Sequence, residues 1–401
     1  MKKLTDLKDK RYLIAVSGGP DSMALLDMAR KKGVYLEVAH MNYHKRETAD
    51  RDEKIVRKYC KEYKIRFHKK DFDENEYQGN FQDAARKARY DFFNELCTKN
   101  KLDCVLIAHQ KDDLIETYMM QKEKKLGVSY YGIRKENTIY GVKVLRPLLS
   151  FYKDELTKYC IKNNIEYGID ESNLKDDYTR NSIRHHKLDK LDKDKKDMIV
   201  EEINKKNEIK QKQLNRAQSC LNKDSYTVNE FLKIPYLKVY LSNIIKPASK
   251  GNVEEVIRQL KESKKCEFHF EGMDIYKEYG KIWISEPVKE YEYVFDSLKQ
   301  MKKQKYEYFL ISDTGTSFEG VTLSEDDFPV MIRNFNKGDH IMMNYGNKKV
   351  NRYFIDHKIP TKDRRIWPVM LNKKGEVILV PGLGCERNHY SEKHSIFVIK
   401  L

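Results

Sequence analysis

The chain has 401 residues and a formal net charge of +16. Its length predicts two or three domains with ample core, and its charge suits a polyanionic partner such as nucleic acid. No apolar run is long enough to span a bilayer, and we expect neither a membrane segment nor a signal peptide. Seven scattered cysteines without a Cys-x-x-Cys pair indicate a cytoplasmic protein with reduced thiols and argue against a structural zinc or iron–sulfur site.

The first pair of predicted elements frames a glycine-rich loop. An apolar run at 12–16 predicts a buried strand, and the run at 23–29 predicts the first turns of a helix. Between them lies the loop Ser17-Gly18-Gly19-Pro20-Asp21-Ser22. Its glycines allow a tight turn close to a ligand, and a helix N-terminus favours an anion such as phosphate.

The polar residues of this loop leave two interpretations. The lysine of a Walker A loop is missing, and Asp21 makes sense beside polyphosphate if it carries a metal ion. The alternative is an ordinary strand-to-helix turn in which Asp21 or Ser22 caps the helix.

Strand-like and helix-like segments alternate as far as residue 108. Strands are predicted at 34–40, 65–69 and 104–108, and the apolar residues between them recur at helical spacing. This alternation predicts an α/β fold, a parallel Rossmann-like sheet with helices on both faces. Ligands bind beyond the carboxyl ends of such strands. The loop 17–22, the segment 40–42 and the segment 109–113 all follow predicted strands, so we expect one active site at that edge.

The helix that follows His109 carries two carboxylates on one face, because Asp113 and Glu116 are three residues apart. Carboxylates near polyphosphate could hold Mg²⁺ or receive a cationic substrate. The alternative is that Asp112 caps the helix and Glu116 completes the capping arrangement. The expected position beside the phosphate loop favours the functional interpretation.

Basic residues are concentrated in several further segments. Arg86 and Arg89 share the polar face of a predicted helix, where they suit phosphate binding or are simply solvated. The stretch 170–186 is polar and basic, and it predicts a loop or helix start that faces a ligand such as RNA.

The second half of the chain is expected to contain smaller domains. Residues 187–216 have nearly balanced charges, which predicts a solvated connecting helix. Residues 222–287 read as a small mixed domain, in which Pro235 and Asn252 stand at helix starts, and the region after the lysine-rich linker 299–305 reads as β-rich. There, basic residues interleave with Tyr353, Phe354 and Trp367, which suits RNA. The alternative is that these aromatic side chains form a core.

Taken together, the motifs resemble one family. The loop 17–22 looks like the SGGxDS PP-loop of the N-type ATP pyrophosphatases. Segments 80–90, 109–117, 146–149 and 170–184 resemble, in order, the NxxxxAR-x-x-RY, HxxxDxxET, RPLL and DxSN…TRNxIR motifs of the tRNA(Ile)-lysidine synthetases. The run GD…KKVxxYFIDxKIPxxxRRxxPV…VPGLG resembles the C-terminal domain of the longer members. Two departures stand out: the usual His-His-x-Asp-Asp-Gln is here His109-Gln110-Lys111-Asp112-Asp113-Leu114, and the usual His-Gly-Leu-Arg is here Tyr43-His44-Lys45-Arg46.

The resemblance implies an enzyme that uses ATP, Mg²⁺ and free L-lysine to convert the wobble cytidine of a CAU-anticodon tRNA(Ile) to lysidine, with release of AMP and pyrophosphate. It implies that Asp21, Asp113 and Glu116 are catalytic and that Asp21 and Asp113 are the metal ligands. The implied ATP contacts are Ala15, Ser17, Gly18, Gly19, Pro20, Asp21, Ser22, His40, Met41 and His109. The implied contacts to tRNA or phosphate are Arg86, Arg89, Asn173, Arg180, Asn181, Arg184, Arg352, Lys358, Arg364 and Arg365.

The same resemblance predicts the domain plan. A PP-loop catalytic domain occupies 1–186, a charged helical linker 187–221, and two tRNA-binding domains 222–287 and 306–401. Whether the protein forms a homodimer stays open. Two other functions also remain: another PP-loop enzyme, such as a tRNA thiolase or an amide-forming synthetase, and a non-catalytic RNA-binding protein. The lack of a Cys-x-x-Cys pair argues against a cluster-dependent thiolase.

Overall fold

The structure forms two compact units, Met1–Lys212 and Gln213–Leu401. It is a computed structural model, and it describes residues 4, 7–44, 49–73, 80–124, 128–168, 183–245, 250–270, 272–301 and 303–401.

A mostly parallel sheet forms the centre of the first unit. Its strands are β1 Arg11–Ala15, β2 Tyr35–Asn42, β3 Arg66–Asp71, β4 Cys104–Leu106, β5 Glu136–Ile139 and β6 Val142–Leu145. The helices between them are α1 Pro20–Lys32, α2 Ala49–Glu62, α3 Phe81–Asn100, α4 Lys111–Glu123 and α5 Lys153–Lys162. The strand order is β3-β2-β1-β4-β6-β5. Among the strands that the structure describes in this sheet, all pair in parallel except β5, which is antiparallel to β6. The sequence analysis did not predict the β5–β6 hairpin.

Helices cover both faces of this sheet, as the alternating pattern predicted. Leu13 and Ile14 are neighbours on β1 and both are fully buried, yet they belong to different hydrophobic clusters. Successive side chains of a strand point to opposite faces, so a strand buried on both sides reads as a continuous apolar run. The predicted α/β fold class is confirmed.

The long charged helix is only partly solvated. After a π-helical turn at Arg184–Leu188, helix α6 spans Lys193–Ser219. Ile203 is fully buried and packs with Leu114 and Tyr118 of α4. The expectation of a solvated connecting helix was therefore wrong for this part of α6, because Ile203 and the neighbouring Ile199 and Val200 pack in a hydrophobic cluster within the first unit, although Met198 and Ile209 are exposed.

The second unit begins with a mixed layer of helices and strands. Helices α7 Val228–Leu232, α8 Leu237–Ile244 and α9 Lys250–Glu262 share one core with a sheet whose order is β7-β10-β9-β8. These strands are β7 Tyr226–Thr227, β8 Cys266–Phe270, β9 Met273–Glu278 and β10 Lys281–Ser285. Asn252 lies inside α9 and is not its cap, so that prediction was wrong.

Two further sheets follow, and the β-rich character predicted for this region is confirmed. One contains β11 Glu292–Phe295, β15 Val330–Asn334, β16 His340–Met343, β17 Gly346–Lys349, β18 Pro368–Leu371, β19 Val377–Val380 and β20 Gly384–Cys385. The other contains β12 Gln304–Lys305, β13 Phe309–Ser312, β14 Gly320–Val321 and β21 Ile396–Lys400. Short helices α10 Val350–Asp356 and α11 Thr361–Arg365 lie between β17 and β18 along the chain. Among the helices in the described ranges, none combines the length and the apolar character needed to cross a membrane.

Candidate active site

The loop after β1 presents the start of helix α1 without a side-chain cap. Gly19 is the N-cap residue, Pro20 occupies the first turn, and no side chain in the described part of the chain caps the helix. The Oγ of Ser22 instead donates to the carbonyl oxygen of Gly19 at 3.0 Å. The alternative in which Asp21 or Ser22 caps the helix is therefore wrong. The first-turn N–H groups and the positive end of the helix dipole are directed toward the loop, which suits an anion.

Two glycines let the loop lie close to neighbouring backbone. Gly18 has φ +94°, and a Cβ there would come within 2.8 Å of the Cβ of Asp52. Its carbonyl oxygen accepts a hydrogen bond from the N–H of Gly168 at 2.9 Å. A side chain at Gly168 would also collide with Asp52. The positive φ and the nearby Asp52 backbone therefore require glycine at position 18, whereas a side chain at position 168 would have to displace the side chains of Asp52 and Arg51.

A cleft of about 680 Å³ lies at the carboxyl edge of the sheet, where the three predicted segments meet. The loop after β1 contributes Ser17, Gly19, Pro20, Asp21 and Ser22. Residues from β1, β2, α3 and the end of β4 form its apolar wall, namely Ala15, Ala39, Met41, Phe93 and Ile107. Polar groups come from elsewhere, chiefly Tyr43, Arg89, His109, Gln110, Lys153 and Arg184. A cleft with one apolar wall and a few convergent polar groups is typical of a small-molecule site.

His40 is not part of the cleft lining. The residue is 3% exposed, and Nδ1 donates to the carbonyl oxygen of Val16 at 2.8 Å. Burial lowers the pKa of His40, so the imidazole stays neutral. Because side chains alternate along β2, Met41 faces the cleft and His40 faces away from it.

Asp21 provides a buried carboxylate oxygen without a partner. Oδ1 of Asp21 is inaccessible to solvent and has no hydrogen-bond partner among the described residues. Burial, and after it the negative charge of Asp113, raises the pKa of the Asp21 carboxyl to about 7. An orphaned buried oxygen of this kind is costly unless a cation or a donor reaches it.

These residues fit a bound magnesium ion. Within the described ranges, no cluster of three or more acidic, His or Cys side chains could hold a metal. Mg²⁺, however, is usually bound by one or two carboxylates together with substrate phosphates and water. The orphaned Oδ1 of Asp21, with Asp113 close enough to perturb its pKa, meets that requirement.

The start of helix α4 is capped by Gln110. The Gln110 side chain accepts from the N–H of Asp112 at 2.5 Å, and Oδ2 of Asp113 accepts from the N–H of Gln110 at 3.0 Å. The alternative in which Asp112 caps the helix and Glu116 completes the arrangement is therefore wrong. Gln110 stands where the motif that this segment resembles often has its second histidine. In this chain the glutamine side chain serves as the cap of α4.

Arg184 bridges the two carboxylates that share a face of α4. Its Nη2 lies 2.8 Å from Oε2 of Glu116 and 3.5 Å from Oδ1 of Asp113. Glu116 is fully buried and Arg184 lines the cleft. Sequence reasoning gave Arg184 a contact to tRNA or phosphate, whereas its guanidinium here pairs with buried carboxylates.

Comparison with known proteins identifies the family. A PP-loop domain family matches residues 1–191. The tRNA(Ile)-lysidine synthase of Mycoplasma mycoides is 30% identical over 407 residues, which cover 93% of this chain and 96% of that protein. This chain belongs to the tRNA(Ile)-lysidine synthase family.

Other synthases of the family align over different shares of the chain. The Ureaplasma parvum enzyme is 44% identical over 183 residues, 44% of this chain and 54% of that protein. The Bacillus licheniformis enzyme is 28% identical over 444 residues, 96% of this chain and 91% of that protein. Membership in the tRNA(Ile)-lysidine synthase family, whose PP-loop domain binds ATP, does not favour the thiolase or the non-catalytic alternative.

Sequence reasoning missed several residues that line the cleft. Lys153 opens α5, Tyr43 follows β2 directly, and Tyr167 and Gly168 lie beside the loop. Tyr43 could have been found, since it extends a segment that was already predicted to reach the sheet edge. Lys153 gave no comparable signal, because its position depends on how α5 packs.

The basic residues predicted near this site take different positions. Arg89 lines the cleft, and its Nε donates to the Tyr43 hydroxyl at 2.7 Å. Arg86 is exposed and its guanidinium lies 5.3 Å from the centre of the Tyr90 ring. Three predicted contacts lie outside the described residues, namely Asn173, Arg180 and Asn181.

In the second unit, the basic residues predicted to bind tRNA divide into surface and interior positions. Arg352 and Lys358 are exposed, and the side chain of Arg365 is 39% exposed. Arg364 is 4% exposed and donates to the carbonyl oxygen of Ile359 at 2.7 Å. The guanidinium of Arg364 is thus used inside the unit.

The aromatic side chains between these residues form a core. Phe354 is fully buried, and its ring centre lies 5.1 Å from that of Trp367 and 5.0 Å from that of Phe335. Tyr353 donates from its hydroxyl to the carbonyl oxygen of Gly382 at 2.7 Å. The interpretation in which Phe354 stacks on RNA bases is wrong, and the core alternative holds for this ring.

Proposed function

We propose that this protein joins free L-lysine to C2 of the wobble cytidine of tRNA(Ile) with a CAU anticodon, converting ATP to AMP and pyrophosphate. Its family membership supports this reaction, since the matched relatives are named for it. The observation that carries the proposal is that a single cleft is lined by an uncapped helix start and by Arg184, whose guanidinium pairs with Glu116 and Asp113 behind it.

ATP is proposed to lie with its phosphates at the loop and its base against the apolar wall. Backbone N–H groups of Gly18, Gly19 and the first turn of α1 would hold the pyrophosphate portion. Lys153 and Arg89 line the same cleft and offer cationic donors to phosphate oxygens. Met41 and Phe93 provide apolar surface for the adenine.

Asp21 and Asp113 are the proposed magnesium ligands. When bound, Mg²⁺ would neutralise the charge that develops on the departing pyrophosphate. The carboxylate of Asp21 stands in the loop itself, and its orphaned oxygen is the feature that supports this role.

The acceptor chemistry requires two bond exchanges. Cytosine O2 attacks the α-phosphate and pyrophosphate leaves. The lysine ε-amine then attacks C2, the C2–O bond breaks, and AMP leaves with that oxygen. Free lysine is cationic in water, so a base must take one proton from its ammonium before attack and another from the nitrogen afterwards.

Asp113 and Glu116 are the proposed acidic groups for the amine, and their geometry suggests different roles. Glu116 is fully buried and paired with Arg184 at 2.8 Å. It is therefore best suited to hold that arginine at the cleft. Asp113 is the more distant partner of Arg184, and after burial its charge is the next cause that raises the pKa of Asp21. Asp113 is therefore the carboxylate that we propose to act beside the reacting phosphate.

The proposal is tested by measuring pyrophosphate release with each substrate omitted in turn. We expect release to require ATP and CAU-anticodon tRNA(Ile), and labelled lysine to enter that tRNA. Replacement of lysine by ammonia or by a sulfur donor should give no modified cytidine. Product formed with a sulfur donor would assign the protein to the thiolases, and no ATP turnover with any acceptor would make it a binding protein.

A further inference from the structure

Two reciprocal ion pairs join the first turn of α6 to the start of α4, and both pairs also contact the start of α5. Nζ of Lys196 lies 2.7 Å from Oδ1 of Asp112, and Nζ of Lys111 lies 2.9 Å from Oδ1 of Asp197. Lys111 and Asp112 are neighbours on α4, and Lys196 and Asp197 are neighbours on α6. Each helix therefore contributes one cation and one anion to the junction.

The Asp112 pair is largely buried and also holds α5. The side chains of Asp112 and Lys196 are 10% and 18% exposed. Oδ2 of Asp112 accepts from the backbone N–H of Lys153 at 3.0 Å, at the first residue of α5. Loss of one partner of a buried pair leaves the other charge uncompensated. Asp112 therefore holds together α4, α5 and α6.

The second pair reaches α5 through an aromatic ring. The Tyr152 hydroxyl donates to Oδ1 of Asp197 at 2.6 Å, and Nζ of Lys111 lies 4.1 Å from the centre of the Tyr152 ring. Tyr152 is the residue before Lys153. Both pairs thus act on the short segment that sets the start of α5.

That start matters because it carries a side chain into the cleft. Lys153 lines the cleft together with Asp21, and its charge lowers the pKa of Asp21 against the larger effect of burial. Asp112 is followed by Asp113, the proposed magnesium ligand. A shift of α5 relative to α4 would therefore displace the Lys153 ammonium from its position in the cleft with Asp21.

We propose that Lys196 and Asp197 of α6 are positioning residues for the ATP site, because they hold the start of α5, and with it Lys153, against α4. This proposal rests on the proposed function only in taking the cleft as the ATP site. Neither residue lines the cleft, so their effect is transmitted through Asp112, Lys111 and Tyr152. Small displacements of a positioned group are enough to lower both binding and rate.

The experiment measures MgATP binding by calorimetry for full-length Lys196→Met, Asp197→Asn and the control Lys195→Met. Lys195 pairs only weakly with Asp192 at the surface, where both side chains are mostly exposed. We expect the Kd for ATP to rise about tenfold in the first two variants, a change of ~1.4 kcal/mol, and to stay unchanged in the control. The fitted Kd belongs to the folded fraction, whereas a purely structural role would reduce only the stoichiometry and the Tm.

A charge reversal keeps the test informative if a single variant folds poorly. Lys111→Glu and Asp197→Lys are expected to weaken ATP binding separately and to restore part of it when combined. An unchanged Kd in the folded fraction of Lys196→Met, or a double variant no better than the worse single one, would overturn the proposal. ATP binding needs neither lysine nor tRNA, so these results stand if the product is not lysidine. Wild-type protein without ATP affinity would overturn both proposals.

Discussion

Arg146 donates a hydrogen bond from Nε to Nδ1 of His109 at 2.9 Å. Arg146 is 4% exposed, and its Nη1 also donates to the carbonyl oxygen of Arg134 and to Oδ1 of Asn137, both at 2.8 Å. A guanidinium can only donate, so Nδ1 of His109 must be unprotonated and a neutral ring carries its proton on Nε2. The Arg-Pro-Leu-Leu segment therefore sets the tautomer of a histidine that lines the cleft.

The tautomer of His109 can be checked by nitrogen NMR. We expect the ring to show a protonated Nε2 and an unprotonated Nδ1, with its signals assigned by their loss in His109→Gln. In Arg146→Lys the preference should disappear and stability should fall by about 2–3 kcal/mol, because buried acceptors lose their donor. A wild-type ring with its proton on Nδ1 would contradict the assignment.

Asp21→Asn and Asp113→Asn should each lower ATP-dependent lysine incorporation into tRNA(Ile) by about 100- to 1,000-fold, as removal of a group that stabilises developing charge does elsewhere. Asp9→Asn, at an exposed position, is the control. Full activity of either variant would remove that residue from the mechanism.

The pair formed by Glu116 and Arg184 should respond differently to two substitutions. Arg184→Met removes the cation that lies 2.8 Å from the fully buried Glu116, so we expect stability to fall by about 1–3 kcal/mol and activity to fall with it. Glu116→Gln keeps an acceptor for Arg184 and should cost less of both. Thermal unfolding and the KM for lysine measure these effects. Equal destabilisation by the two substitutions would show that the pair does not stabilise the fold in this way.

Arg364 and Arg365 are adjacent and should have opposite effects. Arg364→Ala removes a buried partner of Glu278, 3.3 Å away, and the donor to the Ile359 carbonyl oxygen. Because Glu278 keeps its contacts to Lys265 and Thr361, the second unit should be destabilised by about 1–3 kcal/mol. Arg365→Ala should leave the stability nearly unchanged and weaken tRNA binding. The affinity of the variant for tRNA should also depend less steeply on salt concentration, because one phosphate contact is lost. Binding titrations across a range of KCl concentrations distinguish the two. If the Arg364→Ala protein is stable but binds tRNA more weakly, Arg364 contacts tRNA and does not mainly stabilise the fold.

His389 gives the second unit a pH-dependent stability. Its Nε2 lies 2.9 Å from Oδ1 of Asp327 and its Nδ1 lies 2.8 Å from Oε2 of Glu386. Burial alone would lower the pKa of His389, but the hydrogen bonds and charges of the two carboxylates outweigh it and raise that pKa. The stability that the charged His389 contributes is fully present below the pKa of histidine in the unfolded chain, about 6.5. It is lost as the pH rises through the higher pKa of His389 in the folded protein.

Denaturant unfolding at a series of pH values measures this effect. We expect the free energy of unfolding to fall above about pH 6.5 in the wild type, and the decrease to be smaller in His389→Gln. A wild-type profile that rises over this range, or an identical slope in the variant, would contradict the interpretation.

The sequence by itself determined the phosphate loop, the alternating strands and helices, and the carboxylate motif at the sheet edge. These features depend on local rules: glycine for a close turn, apolar periodicity for buried strands, and three-residue spacing for a shared helix face. The family resemblance depended on the same short segments, and the fold and family that they predicted are confirmed.

The tertiary structure alone decided what each polar side chain contacts. Gln110 and not Asp112 caps α4, Arg184 pairs with Glu116, and Arg364 is buried while Arg365 is not. The contact of Lys196 was also decided by the tertiary structure, since its partner Asp112 is 84 residues away in the chain. Spacing along a chain predicts which residues share a face, but it does not predict which distant face packs against it. A charged side chain becomes a surface contact or a buried partner only when that packing determines its distance from water and from opposite charge.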